Sequence, residues 1–266
     1  LIPLLALISW TIPSESSSQD VRLVAPQTGE HLQTVLSTAS LTLALQSDGA
    51  DAPQDYIAAA QADYRRLLTG LYTEGFYSGT ISILIDGIEA SRIDPLVPGG
   101  SIESIVLSVT TGPRFTFGRT DIQPLARGTQ MPEAFTTGNI ARSDDASDAA
   151  IAAVVGWRNV GHPLAQTGGQ TITARHVDEI LDVSIIIAPG PKLRFGNVMV
   201  TGNEAMHTDR VLAIAGLPTG IFDPEAITRA TKNLRRTGAF TSATITEDDT
   251  PEGSTLPITI EVVEQI

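Results

Sequence analysis

Hydrophobic and polar positions alternate in three separate stretches of the chain, and this alternation predicts strands that each bury one face. The three stretches have the same length and spacing, which indicates that one structural unit recurs along the sequence. Their apolar positions are Ile105, Leu107 and Val109; Val183, Ile185 and Ile187; and Ile258, Ile260 and Val262.

A second recurring pattern is a helix that ends at a glycine and is followed by a strand. The sequences "LYTEG", "WRNVG" and "LRRTG" end at Gly75, Gly161 and Gly238, and such a glycine suits the left-handed position that stops a helix. The last helix has a good N-cap in Asp223 and a good first residue in Pro224. An earlier helix is predicted ahead of each, at roughly 29–46, 132–138 and 207–216. The predicted buried faces are Ile57, Ala60, Tyr64, Leu67 and Leu71; Ala150, Ala153, Val154 and Trp157; and Ile227, Ala230 and Leu234.

Two Gly-Pro joints separate these patterns. The sequences "GPRFTFG" and "GPKLRFG" begin at Gly112–Pro113 and Gly190–Pro191. Because proline fixes its own φ and restricts the residue before it, both joints are predicted to be extended, short and stiff. The patterns together predict an α+β fold of three tandem βααββ modules, each a three-stranded mixed sheet covered on one face by two helices. The predicted divisions are a signal-like segment at 1–20 and modules at 21–112, 113–190 and 191–266.

The strands that follow the first and third helix-ending glycines are the candidate functional site. Residues 77–85 and 240–246 are predicted to be edge strands, whose unpaired N–H and C=O groups can pair with an extended polypeptide. Neither contains a proline or a lysine that would block pairing. A proline at Thr80 or Thr244 is expected to weaken partner binding without unfolding the chain; ordinary solvated edge strands are the alternative. The candidate residues are Tyr77, Thr80, Ser82, Leu84, Phe240, Thr241, Thr244 and Ile245.

Charge and composition exclude several other functions. A net charge of -13 leaves no basic face for nucleic acid, and the absence of cysteine excludes disulfides and cysteine-ligated zinc. His176 and Glu179 have H-x-x-E spacing, but no second histidine completes a zinc site. The acidic cluster 144–148 is explained by helix capping and the helix dipole. No catalytic residue, metal site or cofactor site is therefore predicted, and the chain is not expected to be an enzyme.

Two segments have more than one interpretation. Residues 1–20 have a short apolar stretch followed by a serine-rich patch, which is typical of an export signal but also of an apolar N-terminus packed on the body. Residues 86–101 lengthen a hairpin beyond the usual two to five residues, either as a contact surface or as a tolerated insertion.

The array of modules resembles the POTRA domains of outer-membrane assembly proteins. The resemblance covers about 21–266, and it depends on the corners "LYTEGFYSGTISI" and "LRRTGAFTSATI" and on the phrase "GPKLRFGNVMVTGNEAMHTDRVL". The extended "GLYTEGFY" and the count of three modules are most similar to TamA-like proteins of the BamA/TamA superfamily.

This resemblance implies a periplasmic arm attached to the outer membrane through a C-terminal barrel that is absent from this chain. The implied partners are a TamB-like inner-membrane-anchored protein, unfolded outer-membrane or autotransporter clients, and the arm's own barrel. The alternatives are the arm of a two-partner secretion or BamA-type transporter, a division protein of the FtsQ kind, and a stand-alone periplasmic scaffold or binding protein.

Overall fold

The computed structural model describes residues 19–26, 28–94 and 100–265. The chain divides into two compact units, the first ending at Pro113 and the second beginning at Arg114. Most of the signal-like segment lies outside the described residues, but Asp20, which was assigned to it, is the first residue of a strand. In the described ranges, no helix combines the length and the apolar character that crossing a membrane would require.

The first unit is a four-stranded mixed sheet with three helices. Its elements are β1 (Asp20–Val24), α1 (Glu30–Ala39), α2 (Leu41–Ser47), α3 (Pro53–Thr73), β2 (Thr80–Ile85), β3 (Ile88–Glu89) and β4 (Ser104–Thr110). The strand order is β1-β4-β2-β3, with β4 parallel to β1 and antiparallel to β2. The predicted alternation is confirmed, because Ile105, Leu107 and Val109 are buried with Leu67 and Leu71 of α3 in one core.

The predicted helix at 29–46 is broken at Ser40, whose backbone is extended (φ -78°, ψ 121°). The cause is the fully buried carboxylate of Asp63 on α3. It accepts hydrogen bonds from the Ser40 hydroxyl (2.6 Å) and from the N–H groups of Leu41 (2.7 Å) and Thr42 (3.1 Å). A continuous helix would leave this buried charge without these donors, so the chain restarts as α2.

The second unit contains two three-stranded sheets. Its elements are β5 (Thr116–Gln123), α4 (Ser143–Asn159), β6 (Gln166–Arg175), β7 (Ile180–Ala188), β8 (Arg194–Thr201), α5 (Thr208–Ala215), α6 (Pro224–Arg236), β9 (Phe240–Glu247) and β10 (Thr255–Glu264). The strand orders are β5-β7-β6 and β8-β10-β9, and the last strand of each module is central and parallel to the first. The α+β class with mixed sheets is confirmed.

The helix predicted at 132–138 is wrong, since these described residues form turns. The segment between Pro132 and Gly138 is too short and too rich in threonine to sustain a helix by itself. It is held instead by Phe135, which is buried edge-on against Phe117 with ring centroids 5.1 Å apart. The middle module therefore has one helix where two were expected.

The helix-ending glycines are confirmed, with φ angles of 84° at Gly75, 97° at Gly161 and 68° at Gly238. At the ends of α3 and α4, the carbonyl of the residue four places before the glycine accepts a hydrogen bond from the N–H of the residue that follows the glycine. These bonds are Phe76 N–H to Leu71 O (2.9 Å) and His162 N–H to Trp157 O (3.1 Å). This capping motif explains why a large apolar residue stands four places before the glycine at both helix ends.

The Gly-Pro joints differ from the prediction. Gly112 and Gly190 have φ angles of 68° and 67°, in the left-handed region, whereas an extended backbone was expected. At Gly112 the close approach of Ser78 adds a steric reason for glycine, since an added Cβ would lie 2.9 Å from the Ser78 Cβ. The following proline favours an extended backbone at these glycines, but glycine adopts a positive φ without steric cost, and this second effect is the larger one here.

Candidate functional site

The β9 strand is an edge of the third sheet, and its register shows which backbone groups face outward. The Asp248 N–H donates to the Pro257 carbonyl (3.1 Å), and the pairing then continues without a shift to Ile258–Glu247 and Glu261–Thr244. Because antiparallel pairs alternate, even-numbered residues from 248 back to 242 bond to β10. The backbone groups of Ala243, Ile245 and Glu247 therefore face the open side.

One outward group of β9 already has a partner from the same chain. The Ala243 carbonyl accepts two bonds from the Arg235 guanidinium on α6, at 3.3 Å from Nε and 3.2 Å from Nη2. Glu247, at the end of the strand, accepts with both carboxylate oxygens from Nη2 of Arg158 in the middle module, both distances being 2.8 Å. Of these three outward residues, Ile245 is the one for which neither the carbonyl nor the side chain accepts such an arginine bond.

The β2 strand of the first unit is not a fully open edge. The short β3 strand pairs with its last two residues, Leu84 and Ile85, through a turn at 86–87. Beyond that pairing, the Glu89 side chain takes the place of a neighbouring strand, because its carboxylate accepts a backbone N–H of β2. Its carboxylate accepts bonds from the Ile83 N–H (3.0 Å), the Ser82 hydroxyl (2.9 Å) and the Tyr64 hydroxyl. The prediction that the whole of 77–85 is an exposed edge is corrected by this closure.

The Tyr64 hydroxyl has the largest effect on the pKa of Glu89. It lowers the pKa of the Glu89 carboxyl, with smaller contributions from the Ile83 N–H, the Ser82 hydroxyl and the charge of Arg92; the desolvation of the carboxyl opposes them. Burial, followed by the same hydrogen bond, raises the pKa of Tyr64. The carboxylate is therefore held in its ionised, hydrogen-bond-accepting form at neutral pH.

The predicted site residues fall into different environments. Tyr77 precedes β2 and stacks on Tyr72, with ring centroids 4.8 Å apart. Phe240 is buried in the core of the third sheet, and the Thr241 hydroxyl donates to the Val263 carbonyl (3.1 Å). Thr80 and Ser82 pair with β4, and Thr244 and Ile245 pair with β10.

The register also changes the choice of proline position. The Asp86 N–H donates to the Ser104 carbonyl (3.0 Å), so the even-numbered Thr80 bonds to β4, just as Thr244 bonds to β10. A proline at either position removes an internal ladder bond and would disturb the fold itself. Residues with an outward N–H are the appropriate targets.

Among the described residues, β1 forms a further sheet edge, which was not predicted as a candidate from the sequence. The Asp20 N–H donates to the Glu103 carbonyl (3.1 Å), and the parallel pairing places the backbone of Val21 and Leu23 outward. A groove of about 560 Å³ runs beside it, lined in part by Leu23, Glu30 and Ser37. The signal was present in the sequence, because a module whose last strand is central must have its first strand at an edge.

The starts of β5 and β8 are covered by their own chain in equivalent ways. The Phe117 N–H donates to the Asn139 carbonyl (2.8 Å), and the Phe195 N–H donates to the Gly220 carbonyl (3.0 Å). In each case the covering segment immediately precedes the second-helix position of its module. These two edges are therefore less available than β9.

Candidate chemical groups do not come together. His176 and Glu179 both lie in the turn between β6 and β7, where the His176 ring packs edge-on against Phe115. Asp144 and Asp145 lie in the first turn of α4, as expected from the helix dipole, although the side chain of the N-cap residue makes no capping bond. Within the described ranges, no group of three or more His, Asp or Glu side chains could hold a metal ion.

Comparison with known proteins relates the chain to one kind of domain. The family model POTRA, described as "Surface antigen variable number repeat", matches residues 193–265. The crystal structure of POTRA domains 3–5 of Haemophilus influenzae BamA is 13% identical, with a TM-score of 0.59, 93% of this chain and 96% of that chain being covered. At this identity the likeness shows the fold alone.

A second structure, POTRA domains 1–3 of Omp85 from Anabaena, is 16% identical over 93% of this chain and 95% of that chain, with a TM-score of 0.35. A superposition this loose adds nothing to the fold assignment. No curated protein matches the sequence. The POTRA resemblance is thus supported, whereas the narrower TamA-like assignment stays a hypothesis.

Proposed function

We propose that this chain is a polypeptide-binding arm that receives extended segments by β-strand addition, with β9 as the principal accepting edge. The observation that carries the proposal is the outward backbone at Ile245, on an eight-residue edge strand without proline or lysine. Strand addition takes its affinity from main-chain hydrogen bonds, so it tolerates many different client sequences. Binding requires no catalytic or metal chemistry.

The fold supports a location for this activity. The POTRA domains 3–5 of BamA share the architecture, and the POTRA family model matches residues 193–265. We therefore place the chain in the periplasm as part of an outer-membrane protein assembly factor. The proposed modules are 21–112, 113–190 and 191–266, joined at Gly112–Pro113 and Gly190–Pro191.

The narrower proposal is a TamA-like protein that docks a TamB-like partner and handles autotransporter or outer-membrane clients. The sequence "GLYTEGFY" and the three sheets are its support. Of the residues predicted from the sequence, Ile245 is the strongest binding candidate. Thr241 and Thr244 flank it on the same strand, whereas the backbone groups of Ser82 and Leu84 bond to β4, and the Ile83 N–H between them is the outward group that the Glu89 carboxylate covers.

The test compares two substitutions at one position, Ile245→Pro and Ile245→Ala. Both remove side-chain packing, but only proline removes the outward N–H. We expect proline to weaken binding of a monomeric peptide of about ten alternating threonine and phenylalanine residues, a typical strand length, by about tenfold. The alanine variant should bind within about twofold of the parent, since the loss of one side chain leaves the main-chain bonds intact. Fluorescence anisotropy measures both affinities.

Amide hydrogen exchange gives a second readout on the unmodified chain. The Ile245 and Glu247 amides should exchange rapidly in the free protein and become protected when the peptide is added. Equal affinities for the proline and alanine variants, or protection confined to other strands, would show that β9 is not the accepting edge.

A further inference from the structure

A groove of about 620 Å³ lies between α1 and α3 in the first unit. Its floor is formed by Val35 and Ala39 of α1 and by Gly70 of α3. An added Cβ at Gly70 would lie 3.4 Å from Val35 Cγ1 and 3.9 Å from Ala39 Cβ, so the two helices approach closely there. The strand edges discussed above contribute nothing to it, and it is therefore a separate surface.

Threonine side chains make the walls of this groove less polar than their sequence indicates. The hydroxyls of Thr34, Thr69 and Thr73 donate to carbonyls of their own helices, at 2.9, 2.9 and 2.8 Å. These hydroxyls are already satisfied by the helix backbone, which leaves mainly the methyl groups to contact a partner. The groove is consequently an apolar surface at its centre.

The rim of the groove is basic, which is unusual in this chain. The first unit has four arginines and no lysine: Arg22, Arg65, Arg66 and Arg92. Two of these four, Arg65 and Arg66, line the groove, whereas His31, which lines it as well, is paired with the Glu74 carboxylate (Nε2 to Oε1 3.0 Å). Arg65 makes no ion pair with any residue in the described ranges. Arg66 donates from Nε to the Ala39 carbonyl at the end of α1 (2.6 Å), which leaves its remaining N–H groups available.

The groove walls favour a helical occupant over an extended one. The backbone groups of α1 and α3 are satisfied within the helices, so an extended segment in the groove would bury N–H and C=O groups without partners. A helix satisfies its own backbone and can place an apolar face between the two walls. The unpaired guanidinium on the rim requires carboxylates beside that face.

We propose that the α1/α3 groove binds an amphipathic helix of a partner protein, with an apolar face flanked by Asp or Glu that pair with Arg65 and Arg66. This binding surface is independent of strand addition at β9. It selects a partner by helical structure and acidic charge, whereas the strand edge selects for extended backbone. One chain would thereby hold a dedicated partner and a variable client at different places.

Three synthetic peptides of about 18 residues, long enough for stable helix formation, test this surface on the full chain. The first has a leucine and alanine face flanked by glutamates, the second has lysines in place of the glutamates, and the third has two prolines within the first sequence. Because the protein carries a net charge of -13, non-specific attraction would favour the lysine peptide. We expect the reverse order, with the glutamate peptide about tenfold tighter and the proline peptide not bound.

The deciding variant is Arg65→Glu, and Arg22→Glu on β1 is its control because it makes the same change in net charge on another exposed side chain. Arg65→Glu should lower the affinity for the glutamate peptide by about tenfold and raise the affinity for the lysine peptide. Arg22→Glu should change either affinity by less than about twofold. Circular dichroism verifies that both variants are folded.

Three results would overturn the proposal: equal or tighter binding of the lysine peptide to the parent protein, equal effects of the two variants, or binding of the proline peptide. A change in sedimentation on Arg65→Glu without any change in peptide affinity would mean that a second copy of the chain occupies the groove, and would also overturn it. The strand-peptide affinity should be unaltered by Arg65→Glu, so failure here is distinguishable from failure of the β9 proposal.

Discussion

The hydroxyl oxygen of Thr42 is buried, and it has no hydrogen-bond partner among the residues that the structure describes. Its N–H is bound by Asp63, but its hydroxyl was removed from water without compensation. We expect Thr42→Val to raise the free energy of unfolding by about 1 kcal/mol, because valine keeps the shape and removes the unsatisfied group. Urea denaturation, with amide exchange of β4 as the local probe, measures the change. Thr42→Ser, which keeps the hydroxyl and loses the methyl group, should be destabilising; stabilisation by both variants would contradict this explanation.

Glu89 gives the β2 edge a pH dependence whose direction follows from its lowered pKa. A carboxyl whose folded pKa is depressed contributes stability above its unfolded pKa and loses that contribution as the pH falls through the folded pKa. The closure should therefore persist at neutral pH and open only in acid. An NMR titration of the Ile83 amide shift should have its midpoint below 4.5, the ordinary glutamate value.

Tyr64→Phe is the matched control for that titration. It removes the hydroxyl that lowers the Glu89 pKa most, while the Ile83 and Ser82 bonds stay in place. The midpoint should move upward toward the ordinary glutamate value. A midpoint that does not respond to this variant would show that Tyr64 does not hold Glu89 in its ionised form.

At the level of elements, the sequence predicts what local patterns determine. The alternation at 183–187 and the capped helix after Asp223 depend on neighbouring residues, and both appear where they were expected. The break at Ser40 and the closure of β2 by Glu89 depend on side chains from distant parts of the chain. Local periodicity contains no information on such contacts, which is why the open length of β2 was overestimated and why the Arg235 contact on β9 was not foreseen.

Arg235 limits how much of β9 can pair, because its guanidinium holds the outward Ala243 carbonyl. Arg235→Met keeps the aliphatic stem and removes these donors. We expect the affinity for the alternating strand peptide to rise about threefold, since one more acceptor becomes available to it. Arg236→Met, an adjacent exposed position with the same charge change, should have no such effect. A similar increase in both variants would indicate a general charge effect and not release of the carbonyl.

At the scale of the whole molecule, Arg158 connects the two modules of the second unit. This residue of α4 donates from Nη2 to both carboxylate oxygens of Glu247 on β9 and from Nη1 to the Pro163 carbonyl, and its Cζ lies 5.4 Å from the centre of the Phe222 ring. The side chains of Arg158 and Glu247 are only 28% and 22% exposed, so the pair is better shielded than a surface salt bridge. This contact ties the end of β9 to the middle module, and we expect it to contribute to the orientation of the β9 edge.

Arg158→Met should loosen that orientation, because it leaves Glu247 unpaired and removes the bonds across the joint at a cost of about 1–3 kcal/mol. The chain has no cysteine, so spin labels at Thr171→Cys and Ser242→Cys, one in each module, are unique. The distance distribution between them should be narrow in the parent and broader in Arg158→Met. Arg175→Met removes an equal charge and two ion pairs within the middle module, and it should leave the distribution narrow. Equal widths in all three proteins would mean that the other contacts between these modules, such as the bond from the Leu193 N–H to the Gly161 carbonyl (2.9 Å), fix the geometry, and that the β9 edge is oriented without the help of Arg158.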